Sequence, residues 1–421
     1  MSELLITGGN RLGGAVTIHG AKNSVLPLLA ACVLCRGECV LHRCPALSDV
    51  ESSIDILRHL GATVTREGDT VTVNAETLHN NDIPERLMRK MRSSIVFLGA
   101  ITARMGEARV SLPGGCELGP RPIDLHLAGL STLGATVTEQ HGCLHTTLDR
   151  RFVGNTMSLA FPSVGATENL LLAAATAEGT TVLAGAAREP EIGDLIAFLN
   201  AAGARITVHP DVITVEGVPS LHGCQHTVLP DRIEAATYLA AVAVTGGTVL
   251  LSPVIPEHLA PILPLFQEAG CHLKWWEDSL LLSAPPRLQH LKLVRSLPYP
   301  GFPTDAAAPL LAAMTTADGV SVFVETIFEN RYKYVDELAR LGAVVKTEGR
   351  VAVVEGVSHL QAAPVCCTDL RGGAALVVAA LAADGTTSIS KLHHLDRGYA
   401  ELCDALRALG ATVSRVPKKE V

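Results

Sequence analysis

The stretch TENLLLAAATAEGTTVLAGAAREPEIGDLIAFLNAAGARITVHPDVITVE, residues 167–216, contains one complete structural repeat and decides the fold. Its apolar residues follow a helical period, then a short β-branched strand, then a second helical period that begins near Ile192. The segments ARITVHP and VITVEG alternate between apolar and polar residues, which predicts a β-hairpin. Another short strand is predicted near HTVLPD, before the next helix, so we interpret each repeat as βαβαββ.

Two glycine patterns indicate that this unit recurs six times. The tripeptide LGA, or a close variant, places glycine at positions 61, 134, 203, 270, 342 and 410. A second glycine recurs with a similar period, at positions 37, 106, 179, 247, 319 and 385. Each glycine follows a helical pattern and precedes a β-branched run, which predicts a helix end with glycine in the left-handed conformation.

The ends of the chain complete the count of strands. The sixth repeat stops in ATVSRVPKKEV before its second hairpin strand, whereas the N-terminal segments LLITGG and AVTIHG both have strand patterns. We therefore expect the N-terminus to close the sixth repeat. The predicted fold is α/β with two similar domains of three repeats each. Residues 22–230 form one domain, and residues 1–21 together with 231–421 form the other, with hinges expected near 21 and 230.

Composition excludes several classes of protein. The 421 residues are 48% hydrophobic and 4% aromatic, with a net charge of −8 and no conspicuous basic run, which argues against duplex binding. The N-terminus lacks the pattern of a signal peptide, and the apolar run at 374–383 is about half the length of a membrane span. We expect a cytoplasmic protein without a membrane partner, acting as a monomer.

The 11 cysteines lack the spacing of a disulfide framework. Cys32, Cys35, Cys39 and Cys44 lie close enough in sequence to suggest a four-thiolate zinc site. Cys32 and Cys35, however, fall inside a predicted Ala/Leu helix, where a free cysteine packs as a small apolar residue. We favour the packing interpretation and expect neither a metal nor a cofactor.

Polar or charged residues recur where the first helix of each repeat begins. Helix N-termini carry unpaired N–H groups and a partial positive charge, and so favour anions. Serine and aspartate at such positions are equally explained as N-caps, whereas lysine and arginine are poor caps and favour anion binding. The positions are Lys22-Asn23, Arg92, 163–165, Asp231-Arg232, Thr304-Asp305 and 369–371.

One loop and several arginines complete the candidate site. The segment SLPGGCELGPRPIDLH, residues 111–126, has the glycine and proline content of a mobile lid around Cys116. Glu117 favours the protonated thiol and Arg121 the thiolate, so Cys116 suits proton transfer. Arg331, Arg371 and Arg397 each sit beside a turn and an acidic residue, although a solvated surface position is an open alternative for each.

At these positions the chain resembles the UDP-N-acetylglucosamine 1-carboxyvinyltransferase family over its whole length. The matching segments are GAKNSVLPLLAA at 20–31, MRSSIVFLGA at 91–100, LPGGCELGPRPIDLH at 112–126, SVGATENLLLAAATAEGTT at 163–181, AAREPEI at 186–192, LPDRIE at 229–234, GFPTD at 301–305, ETIFENRY at 325–332, TDLR at 368–371 and HLDRGY at 394–399. The resemblance implies an inside-out α/β barrel in each domain, with the helices inside. It also implies transfer of the enolpyruvyl group of phosphoenolpyruvate to the 3-hydroxyl of UDP-N-acetylglucosamine.

The resemblance further implies a role for each matching residue. Cys116 would protonate the methylene carbon of phosphoenolpyruvate, and Asp305 would accept the proton of the sugar hydroxyl. The residues that would hold phosphoenolpyruvate are Lys22, Asn23, Arg121 and Arg397, with the substrate-binding residues Arg331 and Arg371 nearby. The residues that would contact the nucleotide sugar are Arg92, Arg121, Pro122, Ile123, Asp124, Leu125, Ser163, Val164, Asp305 and Ile327. A lid cysteine also implies alkylation by fosfomycin.

Two features depart from relatives, and two other functions stay open. Phe161-Pro162 replaces a stretch that is often basic, and GGAAL after Arg371 replaces one that often contains serine. A shikimate 3-phosphate enolpyruvyl transferase shares the fold and chemistry, and a non-catalytic UDP-sugar-binding paralogue would share the fold alone. The LPGGC lid disfavours the first alternative, and the intact Cys116, Lys22, Asp305 and Arg397 disfavour the second.

Overall fold

Six four-stranded sheets repeat one strand arrangement in the computed structural model, which describes residues 2–112 and 122–417. In each sheet an antiparallel pair of strands adjoins a central strand, and a leading strand runs parallel to that central strand at the edge. The strands are β1 (Ser2–Thr7), β2 (Gly13–Thr17), β3 (Cys35–Arg36), β4 (Glu38–His42), β5 (Thr63–Glu67), β6 (Thr70–Asn74), β7 (Asp82–Ile83), β8 (Glu107–Ser111), β9 (Thr136–Gln140), β10 (Cys143–Thr147), β11 (Thr156–Ser158), β12 (Thr180–Ala184), β13 (Arg205–Val208), β14 (Val212–Glu216), β15 (Leu221–His222), β16 (Gln225–Thr227), β17 (Thr248–Ser252), β18 (His272–Trp275), β19 (Leu280–Ser283), β20 (Val294–Arg295), β21 (Val320–Val324), β22 (Val344–Glu348), β23 (Val351–Glu355), β24 (Leu360–Gln361), β25 (Pro364–Cys366), β26 (Ala383–Asp384), β27 (Thr386–Ser390) and β28 (Thr412–Pro417).

Two helices accompany most of the sheets. The α-helices are α1 (Lys22–Ala31), α2 (Ser48–Leu60), α3 (Glu85–Met88), α4 (Phe97–Met105), α5 (Asp124–Thr132), α6 (Val164–Ala174), α7 (Pro190–Ala201), α8 (Arg232–Val244), α9 (Leu263–Glu268), α10 (Thr304–Met314), α11 (Val335–Arg340), α12 (Leu370–Ala382) and α13 (Leu402–Ala408). Short 3-10 helices cover Cys32–Leu34, Arg92–Val96, Pro256–Leu259 and Leu392–Arg397. The repeat at 167–216 therefore has the predicted order of helix, strand, helix and hairpin.

The chain divides into two compact units. Domain I contains residues 20–112 and 122–229, and domain II contains residues 2–19 and 230–417 of the described chain. Domain I carries three of the four-stranded sheets, and domain II carries the other three.

The first strand of the chain closes the last sheet. β1 lies between β27 and β28 and is antiparallel to both, with Ser2 opposite Pro417 and Thr7 opposite Thr412. The N-terminal segment thus supplies the hairpin strand that the sixth repeat lacks, as its alternating pattern predicts.

Two leading strands pair differently from the prediction. β2 runs parallel to β17 and so opens the fourth repeat, instead of joining the sixth as expected. β16, which precedes the fourth repeat in sequence, runs parallel to β4 of the first repeat. Each domain is thereby closed by a strand from a distant part of the chain, because a leading strand is too short for its own pattern to select a partner.

Helices form the centre of each domain, and the sheets surround them. In domain II the helices α8, α10 and α12 pack on one another, and in domain I α4 packs on α1 and α6. These helices are rich in alanine and leucine and are buried on nearly every side, as expected for helices without a polar face. Among residues 2–112 and 122–417, every helix falls short of the length and apolarity needed to cross a membrane.

The six glycines of the LGA pattern all adopt the predicted left-handed conformation. Their φ angles lie between 86° and 103°, at positions 61, 134, 203, 270, 342 and 410. Glycine adopts this conformation without the strain that a side chain would add. In the second pattern the fourth member is Gly246 (φ 67°) rather than the expected Gly247.

Candidate functional site

Lys22 forms a buried ion pair at the start of domain I. It is the first residue of α1, and its Nζ lies 2.7 Å from Oδ2 of Asp49 in the first turn of α2. The two side chains are 9% and 3% exposed, respectively. A buried ammonium group remains charged when a carboxylate lies this close, so Lys22 presents a positive charge at a helix N-terminus. Asn23 follows it and is partly exposed.

Asp194 fixes this end of α1 from a second direction. One of its carboxylate oxygens, Oδ2, accepts a short hydrogen bond from the hydroxyl of Ser24, which is fully buried. The other oxygen lies 2.8 Å from Nε2 of His226. Because Asp194 belongs to α7 and His226 to β16, this carboxylate joins the first and third repeats directly beside Lys22.

A buried amide joins helices of the second and third repeats. Oδ1 of Asn169 in α6 accepts a hydrogen bond of 2.7 Å from the N–H of Gly99 in α4. Its Nδ2 lies 3.1 Å from the carbonyl oxygen of Ile95 and 3.1 Å from Nδ1 of His126. Arg92 begins the 3-10 helix that contains Ile95, and it is partly exposed.

The predicted nucleotide-sugar residues of domain I occupy helix starts. Ser163 caps α6, and its hydroxyl oxygen accepts a hydrogen bond of 3.3 Å from the N–H of Ala166. Val164 is the first residue of that helix. Pro122 and Ile123 directly precede α5, and Asp124 and Leu125 begin it. These segments present N–H groups and a partial positive charge, which suits phosphate oxygens.

In domain II, Asp305 lies between two buried arginines. Its Oδ1 accepts a hydrogen bond of 2.9 Å from Nη2 of Arg331, and its Oδ2 accepts one of 3.0 Å from Nη2 of Arg371. The arginine side chains are 2% and 4% exposed, whereas Asp305 is 25% exposed. The arginines therefore orient the carboxylate, which remains partly exposed.

Tyr399 holds Arg371 from the other side. Nη1 of Arg371 donates to the Tyr399 hydroxyl at 3.1 Å, and that hydroxyl lies 2.9 Å from Oγ1 of Thr237. Burial alone would lower the pKa of the Arg371 guanidinium, but the carboxylate of Asp305 reverses the effect and raises the pKa above its usual value. Burial also raises the pKa of Tyr399, so its hydroxyl stays protonated.

Ile327 lies in a loop that Glu325 holds in place. One oxygen of Glu325 accepts hydrogen bonds from the N–H groups of Ile327 (2.6 Å) and Phe328 (3.1 Å). The other accepts a hydrogen bond of 2.7 Å from the hydroxyl of Thr304, the residue before Asp305. The carboxylate of Glu325 thus ties the loop after β21 to the start of α10.

Other predicted positions act as caps or lie outside the described chain. Asp231 caps α8 and Asp369 caps α12 through their carboxylate oxygens, which is the N-cap interpretation that the sequence left open. Arg397 ends the last 3-10 helix and is partly exposed. Cys116 and Arg121 lie outside the residues that the structure describes.

Several residues of these networks were not predicted. Asp49, Asp194, Glu325 and Tyr399 each bind a predicted site residue or its direct neighbour. Glu325 and Tyr399 belong to the ETIFENRY and HLDRGY motifs that drew attention to their neighbours, and Asp49 is an acidic residue at a helix start. Only Asp194 had no distinguishing sequence signal.

The described residues contain no group of three or more His, Cys, Asp or Glu side chains placed to hold a metal ion. Three thiols of the suggested zinc site instead donate to backbone carbonyls, Cys32 to Leu28, Cys35 to Ala31 and Cys44 to Leu41. The predicted Ala/Leu helix ends before both of the first two cysteines, because α1 stops at Ala31, Cys32 begins a 3-10 helix and Cys35 begins β3. Burial raises the pKa of Cys44 to about 12, so this thiol stays protonated.

Comparison with known proteins gives two kinds of relative. Residues 6–406 match the family described as EPSP synthase (3-phosphoshikimate 1-carboxyvinyltransferase). The chain is 48% identical to UDP-N-acetylglucosamine 1-carboxyvinyltransferase 2 of Caldanaerobacter subterraneus, over 99% of this chain and 100% of that protein. It is 50% identical to UDP-N-acetylglucosamine 1-carboxyvinyltransferase 1 of Symbiobacterium thermophilum, over 98% of this chain and 95% of that protein.

Solved structures are similar along the whole chain. The enolpyruvyl transferase NikO from Streptomyces tendae is 27% identical, with a TM-score of 0.89 and 98% of each chain covered. An EPSP synthase from Acinetobacter baumannii is 16% identical, with a TM-score of 0.75 over 99% of this chain and 100% of that one. At that identity the second likeness concerns the fold alone, and it agrees with the predicted fold class.

Proposed function

The chain belongs to the UDP-N-acetylglucosamine 1-carboxyvinyltransferases of the EPSP synthase family, and we propose that it catalyses the reaction these relatives are named for. It transfers the enolpyruvyl group of phosphoenolpyruvate to the 3-hydroxyl of UDP-N-acetylglucosamine and releases phosphate. The observation that carries this proposal is the identity of about half of all residues over nearly the full length of two such enzymes. The reaction is the first committed step of peptidoglycan synthesis and supports cell wall formation and division.

Phosphoenolpyruvate carries a carboxylate and a phosphate close together, so its site requires several cations. We assign this role to Lys22, Arg121 and Arg397, with Asn23 as a neutral contact and Arg331 and Arg371 nearby. In support, Lys22 carries a buried positive charge at the first turn of α1, where the helix dipole also favours an anion.

Asp305 is assigned as the base that accepts the proton of the sugar hydroxyl. Arg331 and Arg371 each occupy one lone pair of its two oxygens, which favours the ionised carboxylate. A carboxylate oriented in this way can accept a proton in the role of a general base. The remaining exposure of this side chain fits that role.

Cys116 is assigned as the acid that protonates carbon 3 of phosphoenolpyruvate. Protonation makes carbon 2 electrophilic, the sugar oxygen adds there, and phosphate then leaves by elimination. This assignment rests on the match of the LPGGCELGPRPIDLH loop to the family, since the residue lies outside the described chain. Each proton transfer typically contributes about 10²- to 10⁴-fold to the rate.

The nucleotide sugar is assigned to helix starts that can bind its phosphates and hydroxyls. The proposed contacts are Arg92, Arg121, Pro122, Ile123, Asp124, Leu125, Ser163, Val164, Asp305 and Ile327. The positions of Ser163 at the cap of α6 and of Asp124 in the first turn of α5 support this assignment. We further propose that the enzyme acts in the cytoplasm as a monomer, without a metal or an organic cofactor.

Phosphate release distinguishes the proposed function from its alternatives. With phosphoenolpyruvate present, we expect release to depend on UDP-N-acetylglucosamine and not on shikimate 3-phosphate. Release with shikimate 3-phosphate alone would replace the proposed acceptor, and tight UDP-sugar binding without turnover would indicate a binding protein.

The lid assignment has its own test. We expect fosfomycin to label Cys116 faster when the nucleotide sugar is present, because lid closure over that substrate completes the site. Cys116→Ser is expected to lose most turnover while still binding the nucleotide sugar. Near-full turnover of Cys116→Ser would remove this thiol from the mechanism.

A further inference from the structure

Four cysteines of domain I lie near one another. Cys39 lies on β4, Cys35 on β3, Cys32 in the 3-10 helix after α1, and Cys224 directly before β16. The side chains of Cys32, Cys35 and Cys224 all influence the pKa of Cys39. The proposed transfer reaction uses none of the four.

Strand pairing brings Cys39 and Cys224 to opposite positions. β16 runs parallel to β4 with Gln225 opposite Val40, which sets the preceding residue of each strand side by side. The N–H of Val40 donates to the carbonyl of Cys224 at 2.9 Å, so the pairing extends to this position. Neighbouring strands are about 4.8 Å apart, which is within the Cα separation of about 4.4–6.8 Å that a disulfide spans.

The two side chains also point to the same face of the sheet. Val40 and Gln225 are more exposed than the residues before them, and side chains alternate along a strand. The Cys224 thiol lies 3.9 Å from the carbonyl oxygen of Phe198 in α7, which places it on the helix side. Cys39 is 1% exposed, on that same side.

A positive charge lies near the cluster, because the guanidinium of Arg104 acts on Cys35. A positive charge favours the thiolate, which is the reactive form of cysteine.

Solvent reaches the cluster at Cys224. Cys32, Cys35 and Cys39 are buried, whereas Cys224 is partly exposed. A small oxidant therefore meets Cys224 first, and Cys39 lies directly behind it.

We propose that Cys224 and Cys39 form a redox pair that a peroxide converts into a disulfide between β16 and β4. Cys224 loses its proton to water and attacks the peroxide as the thiolate, so that an S–O bond forms, the O–O bond breaks and hydroxide leaves. Cys39 then attacks the sulfenic sulfur, so that the S–S bond forms, the S–O bond breaks and water leaves with the Cys39 proton. The two sulfurs lose two electrons in total, and the peroxide gains them.

The disulfide would lock the closure of domain I, because β16 belongs to the end of that domain and β4 to its beginning. A reducing thiol would reverse it. The modification is independent of the lid cysteine and of the proposed transfer reaction.

Peptide mapping of the full-length reduced protein tests the pair. The folded protein is treated with increasing hydrogen peroxide, quenched with N-ethylmaleimide in denaturant, and digested without reduction. We expect a cross-linked Cys39–Cys224 peptide. We also expect the amounts of free Cys39 thiol and free Cys224 thiol to fall about tenfold relative to the free thiol of the buried Cys271. Cys143 is exposed and serves as an internal measure of peroxide exposure. Dithiothreitol is expected to restore both thiols.

Two variants separate the pair from general oxidation. Cys39→Ser is expected to abolish the cross-link and to leave Cys224 as a sulfenic acid that dimedone labels. Cys44→Ser changes a buried thiol of the same domain outside the cluster and is expected to leave the cross-link intact.

Two outcomes overturn the proposal. One is full retention of the Cys39 and Cys224 thiols at peroxide doses that consume Cys143. The other is a cross-link from Cys39 or Cys224 to Cys32 or Cys35 instead. Mapping of the unmodified chain decides both outcomes even if a serine variant fails to fold.

Discussion

Replacing Asp194 by alanine tests whether one buried carboxylate holds the start of α1 in place. The side chain is 7% exposed and accepts hydrogen bonds from Ser24 and His226. Alanine leaves the buried Ser24 hydroxyl and the His226 ring without this partner. An unsatisfied buried group typically costs about 1–3 kcal/mol, and the partly exposed His226 ring should cost less than the fully buried Ser24 hydroxyl. We therefore expect a loss of about 2–5 kcal/mol in the stability of domain I.

Amide hydrogen exchange measures this loss where it occurs. Because about 1.4 kcal/mol corresponds to a factor of ten, slow-exchanging amides of α1 and α7 should exchange about 30- to 4,000-fold faster in Asp194→Ala. Asp194→Asn keeps the shape and one acceptor oxygen, and we expect a smaller acceleration. Asp211→Ala removes an exposed aspartate of the same domain and serves as the matched control.

Catalysis supplies a second measurement on the same variants. Since Ser24 lies two residues after Lys22, a displaced helix start should raise the KM for phosphoenolpyruvate more than the KM for the nucleotide sugar. Exchange rates in Asp194→Ala within threefold of those in Asp211→Ala would refute the reasoning, because the carboxylate would then contribute nothing that water does not replace.

Three further predictions concern charge. Lys22→Ala should weaken phosphoenolpyruvate binding far more than nucleotide-sugar binding in calorimetric titrations, and an equal loss of both would indicate misfolding instead. Burial is the main cause that raises the pKa of Glu168 well above its usual value, and the charge of the nearby Glu191 adds to it. The wild type therefore loses stability as the pH rises through that raised pKa. Glu168→Gln should flatten this loss in urea titrations between pH 5 and pH 9, and an unchanged pH profile would contradict the assignment. A hydrogen bond to Glu234 raises the pKa of His19 above 6.5, so its contribution to stability is complete below pH 6.5 and is lost as the pH rises through the raised value. His19→Gln should remove that part of the decline, and a variant that declines as steeply as the wild type would argue against it.

The local sequence pattern was sufficient to predict the repeat and the left-handed glycines at its helix ends. Helix ends such as the one at Gly61 are encoded within a few residues, because a left-handed position after an apolar helix strongly selects glycine. The alternation in the first strand likewise indicated that the N-terminus completes the last sheet, which its pairing with β28 confirms.

Contacts between distant parts of the chain could not be predicted from local sequence in the same way. β2 and β16 have strand patterns, but nothing within three to five residues specifies which central strand each will meet. The ion pair of Lys22 with Asp49 and the hydrogen bond of Ser24 to Asp194 depend on how separate helices pack, so the residue types alone do not reveal them. The same limit applies to Cys224, which is distant in sequence from the cysteines it adjoins.

The pairing of β1 with β28 has a consequence for synthesis on the ribosome. Domain I lies within one continuous stretch of chain and can fold as soon as β16 emerges. β1 and β2 emerge first, yet they must wait for strands that are translated much later. At about 5–20 residues per second, β1 waits about 20–80 seconds for its last partner. During that interval its backbone N–H and C=O groups are open to any other nascent strand, so truncated chains that lack β28 leave a permanently unpaired edge.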